Sequence, residues 1–191
     1  MKKFIFTFVL VLATLSASAQ YRVDRLVTAG RSALFYEDFV LSIKYFNLAI
    51  GAKPYLYEPW YYRSVAKFNL DDYMGAESDA SEAINLNPYI NDIYDLRAIC
   101  RIRQQRYDDA IADYNSAIRL EPRNRNYWFN RALCQMEAKN YDKAQLELDT
   151  VITKWKDYSN AYSLKAEVYL HQKRSEERRV GKECRSRVSA N

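Results

Sequence analysis

Residues 57–90 read YEPWYYRSVAKFNLDDYMGAESDASEAINLNPYI, and the next stretch of equal length, residues 91–124, reads NDIYDLRAICRIRQQRYDDAIADYNSAIRLEPRN. The same kinds of residue recur at a spacing of 34, and the spacing continues on both sides without an insertion. The columns are proline (Pro54, Pro88, Pro122), large (Leu26, Trp60, Tyr94, Trp128, Tyr162), small (Gly30, Ser64, Ala98, Ala132, Ala166) and aromatic (Phe39, Tyr73, Tyr107, Tyr141). Such a period indicates one supersecondary unit stacked on copies of itself.

Each unit has the pattern of two helices. Apolar or small residues recur at helical spacing from Trp60, polar Asp71-Asp72 interrupts the run, and a second periodic stretch begins at Tyr73. Small residues are expected where two helices cross closely, with aromatic rings filling the neighbouring gaps. The predicted helices span residues 23–36, 39–52, 57–70, 73–86, 91–104, 107–120, 125–138, 141–154 and 159–172.

Over residues 23–173 this pattern resembles the tetratricopeptide repeat. The resemblance implies an all-α fold in which antiparallel helix pairs stack into a right-handed superhelical solenoid. The units would be residues 23–56, 57–90, 91–124 and 125–158, followed by a partial unit at 159–173.

The resemblance also implies a partner-binding surface, because the first helix of each pair lines the concave face in this family. The matching positions are Tyr61, Tyr62, Val65, Phe68, Leu96, Ile99, Ile102, Arg103, Asn126, Phe129, Asn130, Leu133 and Met136. This apolar, aromatic stripe has two interpretations. It is either a groove for an extended or helical segment of another protein, with Met136 as an adaptable contact, or ordinary core. Family members that grip C-terminal carboxylates use a Lys, Asn and Arg cluster, which is largely replaced here.

A charged column repeats as well, at Arg63, Arg97, Arg131 and Lys165. Acids stand sixteen residues after the first three, at Asp79, Asp113 and Glu147. We expect a ladder of partly buried ion pairs, either within a unit or between one unit's acid and the next unit's base. The alternative is independent solvated charges, worth about 0–1 kcal/mol per pair.

Both ends of the chain differ from the repeats. Residues 1–19 have the three-part form of a secretory signal peptide: Lys2 and Lys3, an apolar run over 4–15, and Ala17-Ser18-Ala19. No lipid-attachment cysteine follows the apolar run, and we expect no transmembrane segment after cleavage. Residues 174–187, RSEERRVGKECRSR, resemble a translated sequencing adapter, so residues 174–191 are interpreted as a non-native tail rather than a native basic one.

Charge and residue content exclude several functions. Removing eight of the 29 cationic residues and three of the 24 acidic residues with the two ends leaves 21 of each, so residues 20–173 are neutral and give no argument for nucleic acid. His171 is the one histidine, no phosphate-binding loop is present, and Asp71-Asp72 and Asp108-Asp109 suit turns and helix starts. We therefore expect no enzyme, metal site or cofactor. Cys100 and Cys134, one period apart, are expected to be buried thiols.

The leading hypothesis is an exported, non-enzymatic scaffold, in the periplasm or outside the cell, that holds a protein or peptide segment in its groove. The first alternative is a truncated region of a longer envelope protein, because the partial unit ends after one helix. The second is a glycan or small ligand bound on the tyrosine-rich face. Neither the partner nor the oligomeric state follows from the sequence.

Overall fold

The computed structural model describes residues 22–188, with side chains as far as Arg179, and every regular element in that range is an α-helix. Residues 22–35 form α1. The helices that follow are α2 (Phe39–Ala52), α3 (Tyr57–Asn69), α4 (Tyr73–Leu86), α5 (Asn91–Arg103), α6 (Tyr107–Leu120), α7 (Arg125–Glu137), α8 (Tyr141–Lys154) and α9 (Ser159–Val188). The predicted all-α helical repeat is confirmed, whereas the proposed signal peptide lies outside the described residues.

The helix boundaries follow the sequence pattern closely from α2 to α8, where starts coincide with the prediction and ends agree to within one residue. The predicted end of the last helix was wrong, because α9 continues past residue 172 to Val188. Residues 173–188 contain no proline, and most are charged straight-chain residues with high helix propensity. Nothing local stops the helix there.

The turn inside each pair has the same backbone conformation in four repeats. Glu37, Asp71, Gln105 and Lys139, again 34 residues apart, have φ of 59°, 59°, 60° and 64°. The residue after each one closes the turn, as where the Asp72 N–H donates to the Lys67 carbonyl at 3.0 Å. This is the Schellman end of a helix, which satisfies a terminal carbonyl within three residues and allows the next helix to begin at once.

The two acidic pairs differ in their roles. Asp72 caps α4, since its carboxylate accepts from the Gly75 N–H at 2.9 Å, and a Cβ on Gly75 would lie 2.1 Å from that carboxylate. Asp108 and Asp109 lie in the first turn of α6, and Asp109 pairs with Arg106 at 2.7 Å. Capping and turn geometry therefore account for these carboxylates.

The turn between pairs explains the large-residue column. The indole N–H groups of Trp60 and Trp128 donate to the carbonyls of Pro54 and Pro122, at 2.9 and 3.1 Å. Tyr94 reaches Pro88 through its hydroxyl, and Tyr162 reaches Lys156 in the same way, both at 3.2 Å. Because the turn supplies a main-chain carbonyl, Lys156 can replace the proline of the other repeats.

The chain divides into two compact units, one ending at Cys100 and the other beginning at Arg101. In the first, small residues let helices approach closely: a Cβ on Gly30 would lie 2.6 Å from the Phe46 ring, and Ser64 Oγ donates to the buried Ala76 carbonyl at 2.7 Å. The core of the second is built from α7, α8 and α9. Its buried members are Ala132, Met136, Ala144, Leu148, Val151, Ala161, Leu164 and Val168.

Membrane-spanning helices, metal-binding clusters and disulfides each bear on what the described residues can do. No helix in this part of the chain is long and apolar enough to cross a membrane. Within the same part, no group of three or more His, Cys, Asp and Glu side chains is placed to hold a metal ion. Cys100 and Cys134 are buried thiols outside any disulfide, as predicted.

Candidate functional site

The predicted contact residues are mostly half-buried. In the first unit this holds for all six, which are Tyr61, Tyr62, Val65, Phe68, Leu96 and Ile99. In the second unit Arg103 and Asn126 are exposed, whereas Ile102, Phe129, Asn130 and Leu133 are half-buried. The stripe is therefore partly core and partly accessible.

Met136 requires a correction. Its side chain is only 6% exposed and belongs to the core cluster that includes Ala132 and Leu148. The helical position assigned it to the open face, but packing between α7 and α8 covers it. Met136 is a core residue and is not an available contact.

Tyr61 and Phe129 are also partly used by the fold itself. Tyr61 packs against the buried Ala80, Ala83 and Ile93, and burial, followed by the charge of Asp92, raises its pKa to about 12. Phe129 meets the Tyr158 ring edge-on at 5.5 Å between centroids. Core packing accounts for much of both aromatic surfaces.

Tyr62, in contrast, lines an open cleft in the first unit. We call this the N-terminal cleft; its volume is about 620 Å³. Its lining residues are Thr28, Arg31, Ser32, Leu34, Phe35, Tyr36 and Tyr62. Phe35 and Tyr36 are 80% and 78% exposed, which is unusual for large aromatic side chains at neighbouring positions.

Contacts on several sides hold the Tyr62 ring in place. It stacks on the buried Phe46 at 5.8 Å between centroids, and Tyr61 lies 5.1 Å away at a tilt. The Arg31 guanidinium lies over the ring at 5.0 Å from its centroid. The cleft therefore combines a fixed aromatic wall with one cation.

Sequence reasoning missed Arg31 and Phe35, although a signal for both was present. Arg31 stands one period before Val65, and Phe35 stands two periods before Arg103, and both of these were predicted contacts. Extending the columns into the first repeat would have included them.

A second cleft lies in the second unit, at the end of α5 and along α7, with a volume of about 390 Å³. It brings together the predicted Ile102, Arg103 and Leu133 with Gln105, Tyr107, Cys134 and Glu137. The Cys134 thiol is almost wholly buried, and burial, followed by the charges of Glu137 and Glu147, raises its pKa to about 12. This thiol is protonated at neutral pH and offers no nucleophile.

The charged column forms bridges between helices. Arg63 donates from Nε and Nη2 to the Asp79 carboxylate, both at 2.7 Å, and from Nη1 to Asn47 at 2.6 Å. Arg131 repeats the arrangement, donating to Glu147 and to Asn115, both at 2.6 Å. The ladder within units is thus observed at these two arginines, and each also reaches the preceding helix.

The charged column also makes contacts outside the predicted pairs. Arg97 donates to Ser81 Oγ at 3.1 Å, and Lys165 pairs with Asp149. Asp113 accepts from Arg101, twelve residues earlier, at 2.7 Å. Arg101 lies one turn further along α5 than the predicted base, and from there it reaches α6.

Comparison with known proteins agrees with the helical repeat described above. The sequence model of the tetratricopeptide repeat matches residues 96–147. Solved structures of repeat proteins superpose on most of the described helices. The chain has the tetratricopeptide repeat fold.

Three solved structures illustrate this tetratricopeptide repeat likeness. MamA is 19% identical, with a TM-score of 0.68 over 72% of this chain and 75% of its own. YrrB, a TPR protein with an unusual peptide-binding site, is 11% identical, with a TM-score of 0.70 over 78% and 76%. The first TPR of Spaghetti (RPAP3), bound to an HSP90 peptide, is 24% identical, with a TM-score of 0.60 over 61% and 93%. No curated protein matches the chain in sequence.

Proposed function

We propose that this chain is an exported, non-enzymatic scaffold that holds a segment of another protein against the first helices of its repeats. The fold is typical of protein–protein interaction scaffolds. Two of the similar structures are described as binding peptides, which supports a peptide as the partner.

The N-terminal cleft is the observation that carries the proposal. A volume of about 620 Å³ and exposed Phe35 and Tyr36 side chains provide apolar surface that water solvates poorly. The Tyr62 ring is already fixed by Phe46, so little side-chain entropy is lost when a ligand packs on it. A peptide that places apolar side chains there gains the free energy of their burial.

Photo-crosslinking in the source cells tests the proposal. A photoreactive phenylalanine analogue replaces Phe35, inside the cleft, or Met74, which is 75% exposed and lies outside it. Position 35 should give adducts with a small set of polypeptides that position 74 does not give, and Tyr62→Ala should remove those adducts. Identical adducts from both positions would refute the cleft as the binding site.

Export is the second part of the proposal and rests on residues 1–19. Fusing residues 1–20 to a reporter that is active only outside the cytoplasm tests it. Active reporter is expected, and replacing Leu10 and Leu12 by Arg should abolish the activity because the apolar run is interrupted. An inactive wild-type fusion would contradict export.

A further inference from the structure

Arg31 is the one charged side chain among the described residues that line the N-terminal cleft. Within the described part of the chain its guanidinium has a single contact, the Tyr62 ring at 5.0 Å, with no carboxylate or carbonyl partner. Its donors therefore face the cleft or solvent.

The repeats provide an internal comparison for this arginine. At the same position the next three units have Val65, Ile99 and Leu133, so stacking the helix pairs requires no cation there. The structural arginines are different: Arg63 and Arg131 are each bound to an acid and to an amide on two neighbouring helices. Arg31 differs from the apolar residues at its own position and from the paired arginines, because it carries a charge that the described part of the fold does not neutralise.

The position of Arg31 indicates how a ligand would meet it. The lining runs along α1 and its end from Thr28 to Tyr36, which is about 12 Å of helix at 1.5 Å per residue. Arg31 lies near the middle of this length, between hydroxyl groups and exposed rings. A carboxylate bound there has ligand on both sides, as an acidic side chain within a peptide does.

We propose that the N-terminal cleft selects peptide segments in which an Asp or Glu side chain lies next to apolar side chains, with Arg31 binding the carboxylate. This specificity rests on the proposed peptide-binding function. The guanidinium carbon lies over the Tyr62 ring, 5.0 Å from its centroid, and a guanidinium has donors suited to a bidentate bond with a carboxylate. Phe35, Tyr36 and Leu34 supply the apolar contacts.

A random peptide library displayed on phage, selected on the full chain, tests the proposal. The variants are Arg31→Gln, Arg31→Glu and, as a matched control, Lys44→Gln, which removes an exposed cation of α2 outside the cleft. Wild type and Lys44→Gln should enrich acidic residues next to apolar ones. Arg31→Gln should keep the apolar pattern without the acid, and Arg31→Glu should replace the acid with Lys or Arg.

Peptides from the wild-type selection then allow direct measurement by fluorescence anisotropy. Changing the selected acid to its amide should weaken binding to wild type about tenfold and leave binding to Arg31→Gln unchanged. Moving the acid to the peptide's C-terminal carboxylate should not restore affinity. Equal acidic enrichment on wild type and Arg31→Gln would overturn the role of Arg31, whereas failure to enrich any peptide would overturn the proposed function as well.

Discussion

At the scale of single residues, the left-handed turn positions show how much strain the repeat tolerates. Lys139 adopts φ of 64° without being glycine, because the N–H groups of Lys139 and Asn140 close the end of α7. A side chain in this conformation costs about 1–2 kcal/mol, and glycine avoids that cost but adds about 0.4–1 kcal/mol of unfolded-state entropy. The cost of the left-handed conformation is larger than the entropy that glycine adds to the unfolded state.

Lys139→Gly should therefore raise the free energy of unfolding by about 0.5–1 kcal/mol, measured by urea denaturation. Lys143→Gly is the matched control, since Lys143 is exposed within α8, where glycine should lower stability by about 1 kcal/mol. Loss of stability in both variants would show that the turn conformation is unstrained.

At the scale of helices, arginine bridges connect two of the first helices, α3 and α7, each to the helix before it and the helix after it. Arg131 joins α7 to Asn115 of α6 and to Glu147 of α8, and its side chain and that of Glu147 are largely buried. Burial raises the pKa of Glu147, while Arg131 opposes that shift. Removing the cation leaves a poorly solvated carboxylate between two helices.

Arg131→Leu should lower the free energy of unfolding by about 2 kcal/mol at neutral pH. Without the cation, the folded-state pKa of Glu147 lies further above its unfolded value, so the ionised carboxylate destabilises the fold as pH rises through that range. The loss of unfolding free energy in Arg131→Leu, relative to wild type, should therefore be smaller at pH 5 than at pH 7.

Adding Glu147→Gln to Arg131→Leu should recover part of the stability at pH 7 and remove this pH dependence. Arg119→Leu, at an exposed arginine of α6 bonded to Ser116, serves as the control and should have little effect. Equal losses at both pH values would argue against a destabilising Glu147 charge in the variant.

At the scale of the whole molecule, the extension of α9 is helical but is expected to contribute little to stability. Residues 173–179 are exposed, so their helix adds little buried apolar surface. Deleting residues 174–191 should shift the melting temperature by no more than about 2 °C, while the helical circular dichroism signal falls with the residues removed. A large fall in melting temperature would show that this segment is part of the folded body.

Much of the architecture follows from sequence alone, because its causes are local and repeated. Apolar residues at helical spacing, small residues at helix crossings and short turns predict where α2 to α8 begin and end. The end of α9 was not predicted, because the repeat pattern places a turn after residue 172. Residues 173–188 contain no proline and are mostly good helix formers, so the helix continues.

Which predicted contact residues are accessible depends on tertiary packing. Spacing assigned Met136, Phe129 and Tyr62 to one class, but α8 buries the first and Tyr158 packs on the second, so only the third faces an open cleft. Likewise Arg31 and Arg63 are both arginines of first helices, but Arg63 pairs with Asp79 on the next helix, whereas Arg31 lies over the Tyr62 ring. Periodicity determines which residues share a helix face, whereas exposure and charge pairing depend on side chains distant in sequence, which only the folded chain brings together.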